Sequence, residues 1–340
     1  MEIIVSILNL IDNSIYEGLS YSLICLSMVL SYRLLNFPDI TMEGSFVTGA
    51  AVTAVLSIKA GIPILLASFL GVLAGAVAGL FTAFLHIILR IDKLLSGVLS
   101  SFCFYSLNLI IMGGFIAYGK LTTLLTPFEN ADKIIMASLP SILNLHITRI
   151  FFMGIITLFM KLLIDIGLRT EKGLIYSVVG ENEKLAVQCG INPIGYKFFG
   201  LIFSNMLVSS AGILISMKEG SANATRGIGI IIFALTSYVI GEHLMGKRSN
   251  RRTYKIISHK WQRKTTKKIK RKLNRVELTT AAIIGGIFYF LMIQLGYIVR
   301  IRPELPKLLM GLYIIIAISD RNTIIKVLSD IFRNKNDRTY

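Results

Sequence analysis

The sequence predicts an all-α fold, a polytopic transmembrane helical bundle of about eight or nine spanning segments, some of them short or broken. Three observations lead there. Hydrophobic residues make up 54% of the 340-residue chain and charged residues 16%, with a mean hydropathy of +0.68, a balance foreign to soluble globular domains. Several apolar runs reach the roughly 20 residues a helix needs to cross a bilayer. The net charge of +17 is confined: residues 247–276 hold fourteen Lys or Arg and no Asp or Glu, which leaves +3 for the remainder.

Taken in order, residues 1–10 are apolar but short, and either lie in the interface or extend the first crossing. They lack the basic start and small-residue cleavage site of a signal peptide. Spanning segments follow at about 15–35, 44–58, 62–89, 94–113, 147–168, 197–217, 226–245, 278–298 and 306–319. The second and last are short. Short apolar segments beside Gly and Pro suit broken or re-entrant helices, whose free backbone groups must be met by protein or by a water-filled cavity. Gly71, Gly75 and Gly79 recur at every fourth position of the third segment, so that a neighbouring backbone can approach closely.

Orientation follows from Lys and Arg in the loops. With residues 247–276 in the cytoplasm, Arg33, Arg90, Lys93, Arg169, Lys172, Lys184, Arg321 and Lys326 fall there too. The 114–146 loop is then external, where Lys120 and Lys133 are offset by Glu129 and Asp132. Nine crossings put the N-terminus outside and the C-terminus inside. Arg300, Arg302 and Lys307 oppose the rule in the last hairpin.

The polar interlude 169–196 separates two long apolar segments. Within it Glu181–Gln188 reads as a two-turn helix, acidic in its first turn, with Gly190 placed for a left-handed C-terminal position. Such a helix needs a partner. Leu185, Ala186 and Val187 are expected to be exposed and to supply the contact; the alternative is an ordinary surface loop. In the basic stretch, Ile257, Trp261, Ile269 and Leu273 stand at four-residue multiples. This pattern suits an interfacial helix on anionic lipid, with a solvated basic loop as the alternative. Nucleic-acid binding ranks below both, since acidic headgroups already account for the charge.

Polar residues inside the apolar segments mark a pathway or glue between helices. Gly97, Ser101, Tyr105, Asn108 and Met112 share one helix face; Asn205, Ser209, Gly212 and Ser216 share another. Glu17 and Glu43 sit near segment ends, where snorkelling is expected. Catalytic chemistry is thinly represented. His86, His146, His243 and His259 form no metal-ligand spacing, and Cys25, Cys103 and Cys189 read as unpaired thiols. Gly114–Lys120 matches the glycines and lysine of a phosphate-binding loop, but Leu121 replaces the magnesium-binding hydroxyl and no strand precedes it.

Three stretches resemble the permease subunits of ABC importers of the branched-chain amino acid type, in particular an uncharacterised amino-acid-like bacterial subgroup. They are Tyr32–Leu56, with Asn36-Phe37-Pro38-Asp39 and then Glu43-Gly44-Ser45-Phe46; Gly97–Gly114; and the polar interlude continued through residues 200–220 and 227–244. The resemblance covers about residues 15–245, whereas residues 278–319 match only in hydropathy and the basic insertion departs from the pattern. It implies a single multi-pass permease domain over 1–340 in the cell (inner) membrane, moving a small solute such as an amino acid by alternating access. The expected partners are ABC ATPase subunits, an external solute-binding protein and a second permease subunit. No cofactor is expected in this chain; ATP and Mg belong to the ATPase. The coupling role falls on Glu181, Asn182, Leu185, Ala186, Gly190, Ile191 and Asn192, and the translocation pathway on Glu43, Ser101, Tyr105, Asn108, Asn205 and Ser209. A self-sufficient secondary transporter or channel is the rival reading, and it requires intramembrane charge relays that the sequence hardly offers.

Overall fold

The computed structural model describes residues 2–113, 123–125, 145–249, 275–298, 305 and 311. Its helices are α1 (Glu2–Met28), continued by a π-helical turn over Val29–Leu34, α2 (Thr41–Ile58), α3 (Ile64–Ile87), α4 (Lys93–Gly113) and α5 (Leu145–Arg169). There follow α6 (Glu171–Glu181), α7 (Glu183–Gln188), α8 (Pro193–Glu219), α9 (Ile230–Ser249) and α10 (Arg275–Ile298). Eight helices among the described residues are long and apolar enough to cross a membrane. Residues 306–319, expected as a ninth crossing, fall outside the described set, as does the basic stretch 250–274. Residues 2–10 do not lie apart from the first crossing; they are continuous with α1.

Small residues set the packing. α8 lies at the centre against α1, α2 and α3, and α2 packs between α3, α4 and α8. The expected glycine seam of α3 is one of the places where helices meet closely. A Cβ added at Gly75 would come 2.7 Å from Ser209 Oγ and 2.9 Å from the Asn205 carbonyl, and one at Gly79 would come 2.9 Å from Ile202 Cα. Gly71 meets Thr53 and the Gly49 carbonyl in the same way. Without a hydrophobic drive between helices in lipid, this approach gains its energy from dispersion and from hydroxyl bonds such as Ser209 Oγ to Gly71 O, 2.9 Å. The outer faces of α3, α4 and α5 carry exposed Phe69, Phe102, Phe151 and Phe159. That distribution suits a lipid surround rather than water.

α5 is held by charges that hydropathy alone does not single out. Lys161 pairs with Asp165 one turn on, and Thr279 of α10 donates to the other Asp165 oxygen at 2.6 Å. The i,i+4 spacing of opposite charges inside an apolar run is the signal for it.

The two ends of the bundle are distinct. α6 and α7 cap one end, where Arg33 pairs with Glu242 of α9 at 3.6 Å. At the opposite end of α8, Ser221–Asn223 pairs antiparallel with Thr123–Leu125, with Thr123 opposite Asn223. Thr123–Leu125 therefore sit at the far end from the polar interlude, the relative arrangement that loop charge predicts.

Candidate functional site

The polar interlude folds as two helices joined at one residue. Thr170 Oγ1 caps α6 by accepting from the Gly173 N–H at 3.2 Å. Asn182, in extended conformation, ends α6 and caps α7, its side-chain oxygen accepting from the Leu185 N–H at 3.1 Å. The expected helix Glu181–Gln188 is thus shorter: Glu181 closes α6, and α7 is Glu183–Gln188. Gly190 takes φ +77°, the left-handed position expected of it, and the Ile191 N–H reaches back to the Ala186 carbonyl at 3.0 Å. Asn192 then caps α8 through the Ile194 N–H at 3.0 Å.

One expectation is corrected. Ala186 is fully buried within the chain, because it is the face of α7 that packs on the bundle. The apolar groups left in solvent are Leu185, 47% exposed, and Val187, 55% exposed. Glu181, Asn182 and Gly190 are exposed and Ile191 is half-buried. An open cleft of about 750 Å³ runs beside α7, lined among others by Asn36, Lys93, Glu181, Val187 and Lys197. Lys197 holds Glu183 at 2.6 Å on its rim.

α6 is seated on the π turn of α1. The buried Tyr176 hydroxyl donates to the Leu30 carbonyl at 2.9 Å, and a Cβ at Gly180, one turn further, would stand 2.7 Å from Leu35 Cα. Burial pushes the Tyr176 hydroxyl well above its ordinary pKa, so it stays a donor.

From the π turn the chain runs through Asn36, at φ +54°, to a buried polar node. Asp39 is buried; its carboxylate accepts from Asn205 Nδ2 at 2.6 Å and from the Thr41 N–H at 3.0 Å, where it closes the first turn of α2. Thr41 Oγ1 meets Thr82 Oγ1 at 2.6 Å. Burial raises the Asp39 pKa, against the lowering effect of the Asn205 and Thr41 bonds. Sequence reasoning weighs Glu17 and Glu43 as membrane acids and misses Asp39, although an acid just ahead of a helix start is legible as an acceptor for its first free N–H.

The pathway candidates divide. Asn108, Asn205 and Ser209 are buried in helix contacts, Asn108 Nδ2 donating to the Gly44 carbonyl at 3.1 Å. The side-chain oxygens of Asn108 and Asn205 are buried without a hydrogen-bond partner among the described residues. Ser101 and Tyr105 are half-buried on the flank of α4. Glu43 does not snorkel: it accepts from the Gly229 N–H at 2.9 Å, capping α9 from another helix and holding the turn Ala224–Gly227 against α2. Glu17 pairs with Lys218, in the last turn of α8, at 2.7 Å, both side chains partly exposed. Cys25 is buried, Cys103 and Cys189 exposed, all three free. No group of three His, Cys, Asp or Glu gathers among the described residues.

A bundle of membrane-crossing helices with polar nodes inside and a capped, solvent-facing helix pair at one end defines a membrane transport component. The family model "Branched-chain amino acid transport system / permease component" matches residues 10–318, and the chain belongs to that family. It is therefore the permease component of an ABC-type transport system and a multi-pass protein of the cell membrane, the inner membrane in bacteria. Among curated relatives, it is 32% identical over 231 residues to a tyrosine transport system permease protein of Clostridioides difficile, covering 68% of this chain and 72% of that one. It is 26% identical to an uncharacterised protein of Rickettsia prowazekii, over 92% and 98% of the two chains. It is also 26% identical to the autoinducer 2 import system permease protein LsrD of Escherichia coli, over 58% of each.

Proposed function

We propose that this chain imports an amino acid by alternating access, driven by ATPase subunits that dock on α7, with an external solute-binding protein delivering the solute and a second permease subunit completing the pathway. The observation that carries the reading is the helix pair α6–α7. It is capped at both starts and seated on the bundle by Ala186 and Tyr176, while Leu185 and Val187 face solvent. A free surface loop needs no such construction. ATP and Mg are bound by the ATPase, and this chain carries no ATPase site of its own. Glu181, Asn182, Leu185, Gly190, Ile191 and Asn192 form or shape the docking surface, with Ala186 as its inner anchor.

The pathway follows the side where α2 and α4 meet the turn Ala224–Gly227. Glu43, Ser101 and Tyr105 lie at that side, and Asn108, Asn205 and Ser209 stand behind them as groups whose partners change between the inward and outward states. The basic charge of residues 247–276 supports an attraction to anionic lipid at the cytoplasmic face. The solute class rests on the tyrosine transport relative, and aromatic amino acids are the first to test. Uptake of labelled L-tyrosine into cells expressing the chain with its neighbouring transport genes is expected to exceed that of a deletion strain, and unlabelled aromatic amino acids should compete. Equal uptake in the two strains, for tyrosine and for each proteinogenic amino acid in turn, would overturn the solute assignment.

A further inference from the structure

A series of contacts, most of them between distant parts of the chain, connects the solvent-facing helix α7 to the buried Asp39 node. α7 and α6 share Asn182 as their joint. α6 meets the π turn at two positions on one face: the Tyr176 hydroxyl bonds the Leu30 carbonyl, and the Gly180 backbone lies against Leu34 and Leu35. Gly200 makes room for the Tyr176 ring on its other side, since a Cβ there would stand 2.7 Å from Cε2. The π turn then passes within a few residues to Asp39, whose carboxylate joins the start of α2 to Asn205 in the middle of α8.

The π turn is wound more widely than the α-helix it continues. Its carbonyls are met at wide spacing, Leu30 by the Leu35 N–H at 3.1 Å and Ser31 by the Phe37 N–H at 2.9 Å. The Ser31 hydroxyl takes the Ser27 carbonyl at 3.2 Å, in competition with the backbone. A π turn holds one more residue than α geometry, and closing it to α shifts the downstream chain by about 1.5 Å and about 100°. The Leu30 carbonyl is a shared acceptor in the wide form, and Tyr176 is the side chain that shares it.

We propose that Tyr176 is a positioning residue for energy coupling: through its bond to Leu30 it ties the register of the π turn to the position of the docked helix pair, and so carries movement of the ATPase contact to the Asp39–Asn205 link between α2 and α8. This rests on the docking role of α7 and adds the route by which docking reaches the membrane interior. The route consists of a hydrogen bond and a close backbone contact on a π turn, a winding that differs from α geometry by one residue.

The test is hydrogen exchange on the assembled complex of this chain with its ATPase, comparing nucleotide-free and ATP–vanadate states over residues 29–41. In the wild type, trapping nucleotide is expected to change exchange in this stretch several-fold. In Tyr176→Phe, which keeps the ring and loses only the hydroxyl, the response should fall to near zero while the complex still assembles and still hydrolyses ATP. Gly180→Ala, which pushes α6 off Leu34 and Leu35, should lower assembly itself and shows what a purely structural disturbance of this contact looks like. A merely structural Tyr176 would lower assembly or thermal stability and leave the nucleotide response of the surviving complex intact; that result overturns the proposal. So does a wild-type complex that turns over ATP with no change at residues 29–41, and the docking role would then stand without this route. Failure of the wild-type chain to bind the ATPase would remove both.

Discussion

Replacing Leu185 by Asp separates docking from folding, because the two apolar groups next to each other on α7 have opposite fates. Leu185 is 47% exposed and Ala186 is fully buried. In the free permease an Asp at position 185 reaches water, and the stability change should stay within about 0.5 kcal/mol. In a docked complex the remaining half of the Leu surface would be covered, which is worth roughly 1 kcal/mol at about 1.5–3 kcal/mol for a whole buried Leu. A carboxylate pressed into an apolar groove adds roughly 2–3 kcal/mol of unmet desolvation. The sum, about 3–4 kcal/mol, corresponds to a loss of affinity of roughly 10²- to 10³-fold. Ala186→Asp should behave in the reverse manner, unfolding the segment before any docking is measured, at a cost of several kcal/mol, roughly 3–5. The assay is titration of the purified ATPase onto the permease in nanodiscs, with the thermal midpoint of each variant as the control for folding. Wild-type affinity in Leu185→Asp, at an unchanged thermal midpoint, would refute the assignment of α7 as the docking helix.

Two further outcomes follow from packing and from charge. Gly75→Ala places a methyl group against Ser209 and the Asn205 carbonyl and should cost about 1–3 kcal/mol. Gly154→Ala, on α5 where an added Cβ meets nothing within 4 Å, should be neutral or stabilising by about 0.5–1 kcal/mol; thermal midpoints in detergent compare the pair. Asp39 has a raised folded-state pKa, so the folded chain holds its proton more tightly than the unfolded chain does. Its contribution is most favourable below the ordinary carboxylate pKa of about 4 and is lost as pH rises from there through the raised folded value. Asp39→Asn should therefore flatten the decline of the thermal midpoint across that window, and a variant with the slope of the wild type would contradict the burial of a titrating acid at this position.

What the sequence determined by itself is the part of the protein governed by local physics. The crossings follow from runs of apolar residues that cannot remain in water, and the eight described spans fall within a few residues of the runs. The capped turn before Gly190 follows from side chains bonding their own neighbouring backbone. The glycine seam of α3 follows from a four-residue repeat that places every Gly on one face. Tertiary structure decided whatever depends on which helices become neighbours. Asp39 meets Asn205 from 166 residues away, Glu43 meets Gly229 from 186, and Tyr176 meets Leu30 from 146. Spacing along one helix places Asn205 on a polar face but does not say whether that face looks onto a cavity or onto a carboxylate. Ala186 shows the same limit on a smaller scale: a two-turn helix has too little periodicity to reveal its inner face, and only the bundle beneath it makes Ala186 the anchor and leaves Leu185 and Val187 in solvent.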